Sequence, residues 1–155
     1  MSGIHRDVYL FATPKTFVRD HYISSSLDAG QQYQSGVMNV EITMNNRDKE
    51  SIEKSVEVTL VSPDGEEVKR QTVNFSFNQG ETEKQGIASF NLSGLKLWTA
   101  ETPTLYTVEI SQKDANGNEE MAFSTKYGFR QVKIKSNKVY INGEQVYFKG
   151  ANLQD

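Results

Sequence analysis

The run Met38-Asn39-Val40-Glu41-Ile42-Thr43-Met44 decides how this chain folds. Apolar and polar residues alternate through it, and a period of two, not 3.6, puts the apolar set on one face of an extended strand. The alternation returns at Val56-Val58-Leu60, at Ala88-Phe90-Leu92 and at Tyr106-Val108-Ile110. Each run reads as a strand with one buried and one wet face. Turn residues stand between the runs: Asn45-Asn46-Arg47-Asp48, Pro63-Asp64-Gly65 and Asn116-Gly117-Asn118. The spacing predicts about seven strands, near 16–27, 35–45, 54–62, 67–77, 86–92, 104–113 and 119–129, packed as an antiparallel β-sandwich. One helical turn at most is expected, around Leu95–Glu101. Residues 4–13 read as a strand or extended arm entering the sandwich.

Beyond residue 130 lies a second signal. Val139-Tyr140-Ile141 and Val146-Tyr147-Phe148 flank Asn142-Gly143, and that pattern predicts a β-hairpin. The chain therefore divides into an arm (1–14), a sandwich (15–130) and a terminal hairpin segment (131–155).

The 155 residues suffice for one domain with a real core. The formal net charge of -3, with no basic patch or basic helix, argues against nucleic acid or an acidic membrane as partner. No run approaches the roughly 20 apolar residues of a membrane helix. The absence of cysteine excludes disulfides, thiolate chemistry and cysteine-based zinc sites, without fixing the compartment.

The residues offer little chemistry. His5 and His21 are too far apart in sequence to begin a metal site without other ligands. No glycine-rich phosphate loop is present, because Gly80 and Gly86 flank a charged loop and not a strand-to-helix turn. A glycosidase needs two carboxyl groups about 5–9 Å apart across the scissile bond. Glu66-Glu67 and Glu119-Glu120 are adjacent, so on a strand their side chains point to opposite faces, and their turn-flanking positions fit a solvated edge. No carboxylate is placed for acid catalysis and no cofactor is expected. Trp98, Tyr106 and Tyr127 are the rings to weigh for sugar stacking; a sandwich of this size tends to bury its one Trp at least partly.

Three stretches resemble one family. The opening Gly3-Ile4-His5-Arg6-Asp7-Val8 is similar to the segment joining the first two domains of family 2 glycoside hydrolases. Leu97, Trp98, Pro103, Leu105 and Tyr106 resemble that family's Leu-Trp, Pro, Leu-Tyr motif. Gly128-Phe129-Arg130, Asn142-Gly143, Gly150 and Asn152 resemble its passage from the sandwich into the barrel. After that point Leu153-Gln154-Asp155 departs from the Arg-His-Glu common in galactosidases.

The resemblance implies a jelly-roll sugar-binding domain, then an immunoglobulin-like sandwich, then a catalytic (β/α)8 barrel. This chain looks like the second domain with the start of the third, of β-galactosidase type. The catalytic glutamates would then lie in the barrel, beyond Asp155, and the partners would be the adjacent domains, with a homo-oligomer of the parent possible. Arg6 and Asp7 would pin the arm at a domain boundary. Trp98, Tyr106, Phe129 and Arg130 would sit at the core or the domain interface. The stretch Asn78–Gly86, with Gln79, Glu81, Glu83 and Lys84, is a candidate subunit-contact loop. The terminal hairpin is expected to be poorly ordered without the barrel. Two competing readings are a free-standing carbohydrate-binding module, which needs an exposed aromatic platform, and a surface adhesion domain, which needs a large exposed patch.

Overall fold

The computed structural model describes residues 3, 7–148 and 150. Seven strands form two facing antiparallel sheets. Strands β1 (Thr16–Leu27), β2 (Ser35–Asn46) and β5 (Glu83–Ser93) make one, in the order β1-β2-β5. Strands β3 (Ile52–Val61), β4 (Glu67–Phe77), β6 (Tyr106–Lys113) and β7 (Glu119–Tyr127) make the other, in the order β4-β3-β6-β7. The all-β, antiparallel sandwich read from the alternating runs is the observed architecture.

The alternation sets the core. Met38, Val40, Ile42 and Met44 of β2 are fully buried, with Ala88 and Phe90 beside Val40 and Met38 on β5. Opposite them lie Val56, Val58 and Leu60 of β3 and Val108 and Ile110 of β6, with Phe75 and Phe77 from β4. Burying one such aliphatic or aromatic side chain is worth about 1.5–3 kcal/mol, and this layer supplies most of the drive to fold.

β1 does not alternate in sequence, because a bulge lies between Val18 and Asp20. The extra residue reverses the parity, so that Val18 and Leu27 both face the core despite their odd spacing.

Side chains cover parts of the free margins of the three-stranded sheet. On β1, the Gln112 amide accepts from Val18 N–H at 3.0 Å and donates to Thr16 C=O at 2.8 Å, and Gln131 Oε1 accepts from Leu27 N–H. On β5, Gln71 accepts from Ser89 N–H, and Lys69 donates to Asn91 C=O.

A further small sheet follows: β8 (Val132–Lys135), β9 (Lys138–Ile141) and β10 (Glu144–Val146), in the order β10-β9-β8. The expected hairpin is thus the second half of a three-stranded meander. Its turns are Ser136-Asn137 and Asn142-Gly143, and all four residues have positive φ, as two-residue hairpin turns of this hand require. Tyr147 and Phe148 lie past the end of β10.

Other expectations need correcting. The 95–101 stretch holds no helical turn. Trp98 and Pro103 form a β-bridge, and Thr99 N–H bonds to Thr102 C=O, closing the segment on itself. The single 3-10 turn among the described residues is Ala29–Gln31, where Asp28 accepts from Gly30 N–H. Half of the presumed loop 78–86 is strand, because Glu83 and Lys84 pair with Asn45 and Met44 and extend β5 backwards. Residues 7–14 belong to no strand, in keeping with an arm.

Candidate domain interface

The chain enters and leaves the sandwich at opposite ends. β1 begins at Thr16 beside Asn46, whereas β7 ends at Tyr127, whose hydroxyl donates to Ser25 near the far end of β1.

The incoming end is held by polar side chains. Gln112, 1% exposed, bonds to β1 as described and also donates to Glu120. Lys54 donates to both carboxylate oxygens of Glu120, at 2.6 and 2.7 Å. Thr16 donates to Asn46 Oδ1, and Asn46 Nδ2 donates to Glu50 C=O and Glu81 C=O. No buried side-chain nitrogen or oxygen among the described residues lacks a partner. Glu119 and Glu120 do point to opposite faces: Glu119 accepts from Ser111, while Glu120 turns inward. The expectation that both are solvated holds for Glu119 and only in part for Glu120, whose side chain is 25% exposed and paired with Lys54.

Beside this network, Phe11 and Thr13 of the arm, Phe17 and His21 of β1, Arg47, and Met121 and Phe123 of β7 line a cleft of about 720 Å³. His21 packs its ring on Phe123 and Arg47 lies over Phe17. Val8, Tyr9, Leu10 and Phe11 form an uninterrupted exposed apolar run, with Leu10 fully exposed.

Aromatic packing governs the outgoing end. Phe129 is fully buried and meets Tyr106 and Tyr127 edge-on, with ring centroids at 4.9 and 5.2 Å. The Tyr106 hydroxyl accepts from Lys96 N–H. Arg130 lays its guanidinium over the half-buried Trp98 ring at 4.5 Å. Gly128 passes so close to Trp98 that a Cβ there would lie 2.8 Å from the indole, so the sequence needs glycine at that position.

The meander has two faces, fixed by register. Ile134, Val139 and Val146 stand abreast, and so do Val132, Ile141 and Glu144, on one face that is apolar but for Glu144. Lys133, Tyr140 and Gln145 occupy the other face, where Lys133 approaches the Tyr33 ring. Ile134 is 77% exposed, and Tyr147 and Phe148 beyond it are as open.

Trp98, Tyr106, Phe129 and Arg130 are therefore brought together. Arg6 lies outside the described residues, as do Ile4, His5 and Asn152. Asp7 is exposed and accepts from the Tyr9 hydroxyl. The 78–84 group is tied mainly to its own surroundings. Glu81 accepts from Asn78 N–H and pairs with Lys84, and both hold its carboxyl below the usual range. Glu83 pairs with Arg19, while Gln79 is exposed. Among the rings weighed for sugar stacking, Tyr106 is buried, and Trp98 and Tyr127 are half-buried. Tyr22, on the outer face of β1 beside Glu41, is exposed instead.

Gln112 and Gln131 were not singled out by sequence, and Asn142 was only as half of a turn and of a family motif. A Gln in an inward-facing position of an alternating strand, as at 112, was the available signal. Among the described residues no group of three or more His, Cys, Asp or Glu could hold a metal ion, and no helix is long and apolar enough to cross a membrane.

Comparison with known proteins places this arrangement. The model of glycosyl hydrolases family 2 matches residues 16–130. A β-galactosidase of Priestia megaterium is 33% identical over 156 residues, covering 100% of this chain and 15% of that protein. One from Halalkalibacterium halodurans is 32% identical, covering 99% and 14%. The chain thus spans a small part of the length of these relatives. Among solved structures, a family 2 member from Bacteroides cellulosilyticus superposes with a TM-score of 0.78 at 14% identity, over 89% of this chain and 19% of that one. A structure described as a putative β-galactosidase from Bacteroides fragilis gives 0.75 at 21% identity, over 86% and 20%. With the family model spanning the whole sandwich, the chain belongs to glycosyl hydrolase family 2.

Proposed function

We propose that this region is a non-catalytic spacer of a family 2 glycoside hydrolase, an immunoglobulin-like sandwich that holds a sugar-binding domain on one side and a catalytic barrel on the other. The observation that carries this is the apolar face of the meander, where Val132 and Ile134 are exposed beside the half-buried Val139, Ile141 and Val146, carried on past β10 by the exposed Tyr147 and Phe148. The sandwich closes its own core without that face, so the face is available to a following body. The arm at 8–11 offers a second uncovered apolar segment at the opposite end. A spacer must present surfaces at both ends, and these two segments support that reading.

In this reading the domains are an arm over 1–14, the sandwich over 15–130, and the first segment of the barrel over 131–155. The glutamates that cleave the glycosidic bond belong to the barrel. The substrate class is β-galactoside, by likeness to the named relatives. The 78–84 group serves a subunit contact only by releasing pairs it already makes, such as Glu83 with Arg19.

The test is hydrolysis of chromogenic β-galactoside, β-glucuronide and β-mannoside by the 155-residue chain and by the longer polypeptide that carries it. Cleavage by the longer chain alone, strongest on the galactoside, is expected. Turnover by the 155 residues themselves refutes the spacer reading.

A further inference from the structure

The turn Asn142-Gly143 does more than reverse the chain. Asn142 Oδ1 accepts from Gln131 N–H at 2.9 Å, and Asn142 N–H returns a bond to Gln131 C=O at 2.9 Å. Asn142 Nδ2 donates to Trp98 C=O at 3.0 Å. Each of these partners is anchored in turn. Trp98 N–H donates to Phe129 C=O at 2.9 Å, and Gln131 Oε1 accepts from Leu27 N–H at the end of β1. One side chain therefore joins the meander's turn to the linker and to the 94–105 crossover, and through them to both sheets. Next to it, Gly143 sits under the Tyr33 ring, which a Cβ would meet at 3.1 Å.

We propose that Asn142 is a positioning residue: it fixes the angle at which the meander leaves the sandwich, so that the two form one rigid spacer. This reverses the expectation that the hairpin is loose when nothing covers it. Its importance for orienting a following body rests on the spacer reading above. The clamp itself is internal to the 155 residues and is tested there, so its failure is separate from a failure of that reading.

Residue chemistry distinguishes this role from turn formation. The turn needs a residue that tolerates φ near the observed 51°, and Asn, Asp and Gly all do. Only Asn supplies both an acceptor for Gln131 N–H and a donor for Trp98 C=O. Asn142→Gly keeps the turn and loses both side-chain bonds. Asn142→Asp keeps the acceptor and sets a carboxylate against a carbonyl oxygen.

The experiment compares wild type, Asn142→Gly and Asn142→Asp in the 155-residue chain by amide hydrogen exchange, residual dipolar couplings and fluorescence of Trp98, the sole tryptophan. Loss of two hydrogen bonds is expected to speed exchange at Gln131 and Asn142 by about ten- to hundred-fold in the Gly variant. The couplings of β8–β10 should then no longer fit a common alignment with the sandwich, Trp98 should become more open to quenching, and the β9–β10 pairing should persist. The Asp variant should retain part of the protection at Gln131 and none of the Trp98 effect. Unchanged couplings and exchange in both variants overturn the proposal. So does collapse of β9–β10 pairing in both, which assigns Asn142 to the turn alone.

Discussion

The two ends of the sandwich solve one problem, holding a chain that enters or leaves a folded body, with opposite chemistry. At the incoming end Gln112 and Asn46 hold β1 through directed polar bonds to its first residues, and the Lys54–Glu120 pair braces Gln112. At the outgoing end Phe129 is packed between Tyr106 and Tyr127, and Arg130 is stacked on Trp98. Polar networks specify a register, since each donor must meet its acceptor; aromatic packing supplies more burial energy and tolerates small rotations. The outgoing end recovers directionality through Asn142, where the polar clamp is laid over the aromatic cluster.

Substitutions that separate the two modes should differ in size and kind. Phe129→Ala empties a fully buried site and strips two edge-on ring contacts, and it should cost about 3–5 kcal/mol in chemical denaturation. Gln112→Leu is close in volume, but leaves Val18 N–H, Thr16 C=O and Glu120 short of a partner. A loss of about 2–4 kcal/mol is expected. Exchange should speed at Val18 while the outgoing end stays protected. A smaller loss for Gln112→Leu than for a surface control such as Gln79→Leu would erase the contrast between the ends.

Glu120→Ala strands the nearly buried Lys54 ammonium and should cost about 2–3 kcal/mol, less than a wholly buried pair because Glu120 is partly solvated. Lys54→Met added to Glu120→Leu should restore most of that loss, since two apolar groups leave no unpaired charge. Failure of the double variant to recover would mean that the bond from Gln112 to Glu120, and not the ion pair, holds this corner.

The smallest effect should come with acid pH, at the incoming end. Asp114, bonded by the Asn118 side chain and by the backbone N–H groups of Asn118 and Asn116, is held below the usual carboxylate range, as is Glu81. A carboxyl with a depressed folded pKa stabilises the fold above its unfolded value, and that contribution fades as pH falls through the folded value. Acidification below the ordinary carboxylate range should therefore loosen the 78–82 and 114–118 turns first, visible as faster exchange there. Asp114→Asn should remove the pH response at the second turn.

Much of the sandwich was legible because its inward faces alternate without interruption, as at Met38–Met44. β1 was placed by the spacing of the strands and not by its own pattern. Its sequence does not alternate, and the bulge that reconciles Val18 with Leu27 is a property of pairing with β2. β8 was missed although Val132-Lys133-Ile134-Lys135 alternates and Ser136-Asn137 supplies a turn. Four residues give too short a run to register as a strand until β9 pairs with it. The aromatic half of the candidate interface was reached through motif resemblance. The polar half was not: Gln112 and Gln131 are ordinary residues, and Asn142 was read only as a turn, because their bonds come from long-range approach, 94 residues apart for Gln112 and Val18. Sequence patterning reports burial well; it carries little information about which distant amide a buried side chain will meet.

The side chains that cover parts of the margins of β1 and β5 have a consequence for the chain when it meets other copies of itself. An edge strand with a bare row of N–H and C=O groups is a template on which a foreign strand can grow. Here Gln112 and Gln131 occupy that row at the two ends of β1, and Gln71 and Lys69 occupy it on β5. The bonds that look like internal stitching thus also withhold a nucleus for amyloid-type assembly, and they do so with side chains from the same chain, independent of any neighbour.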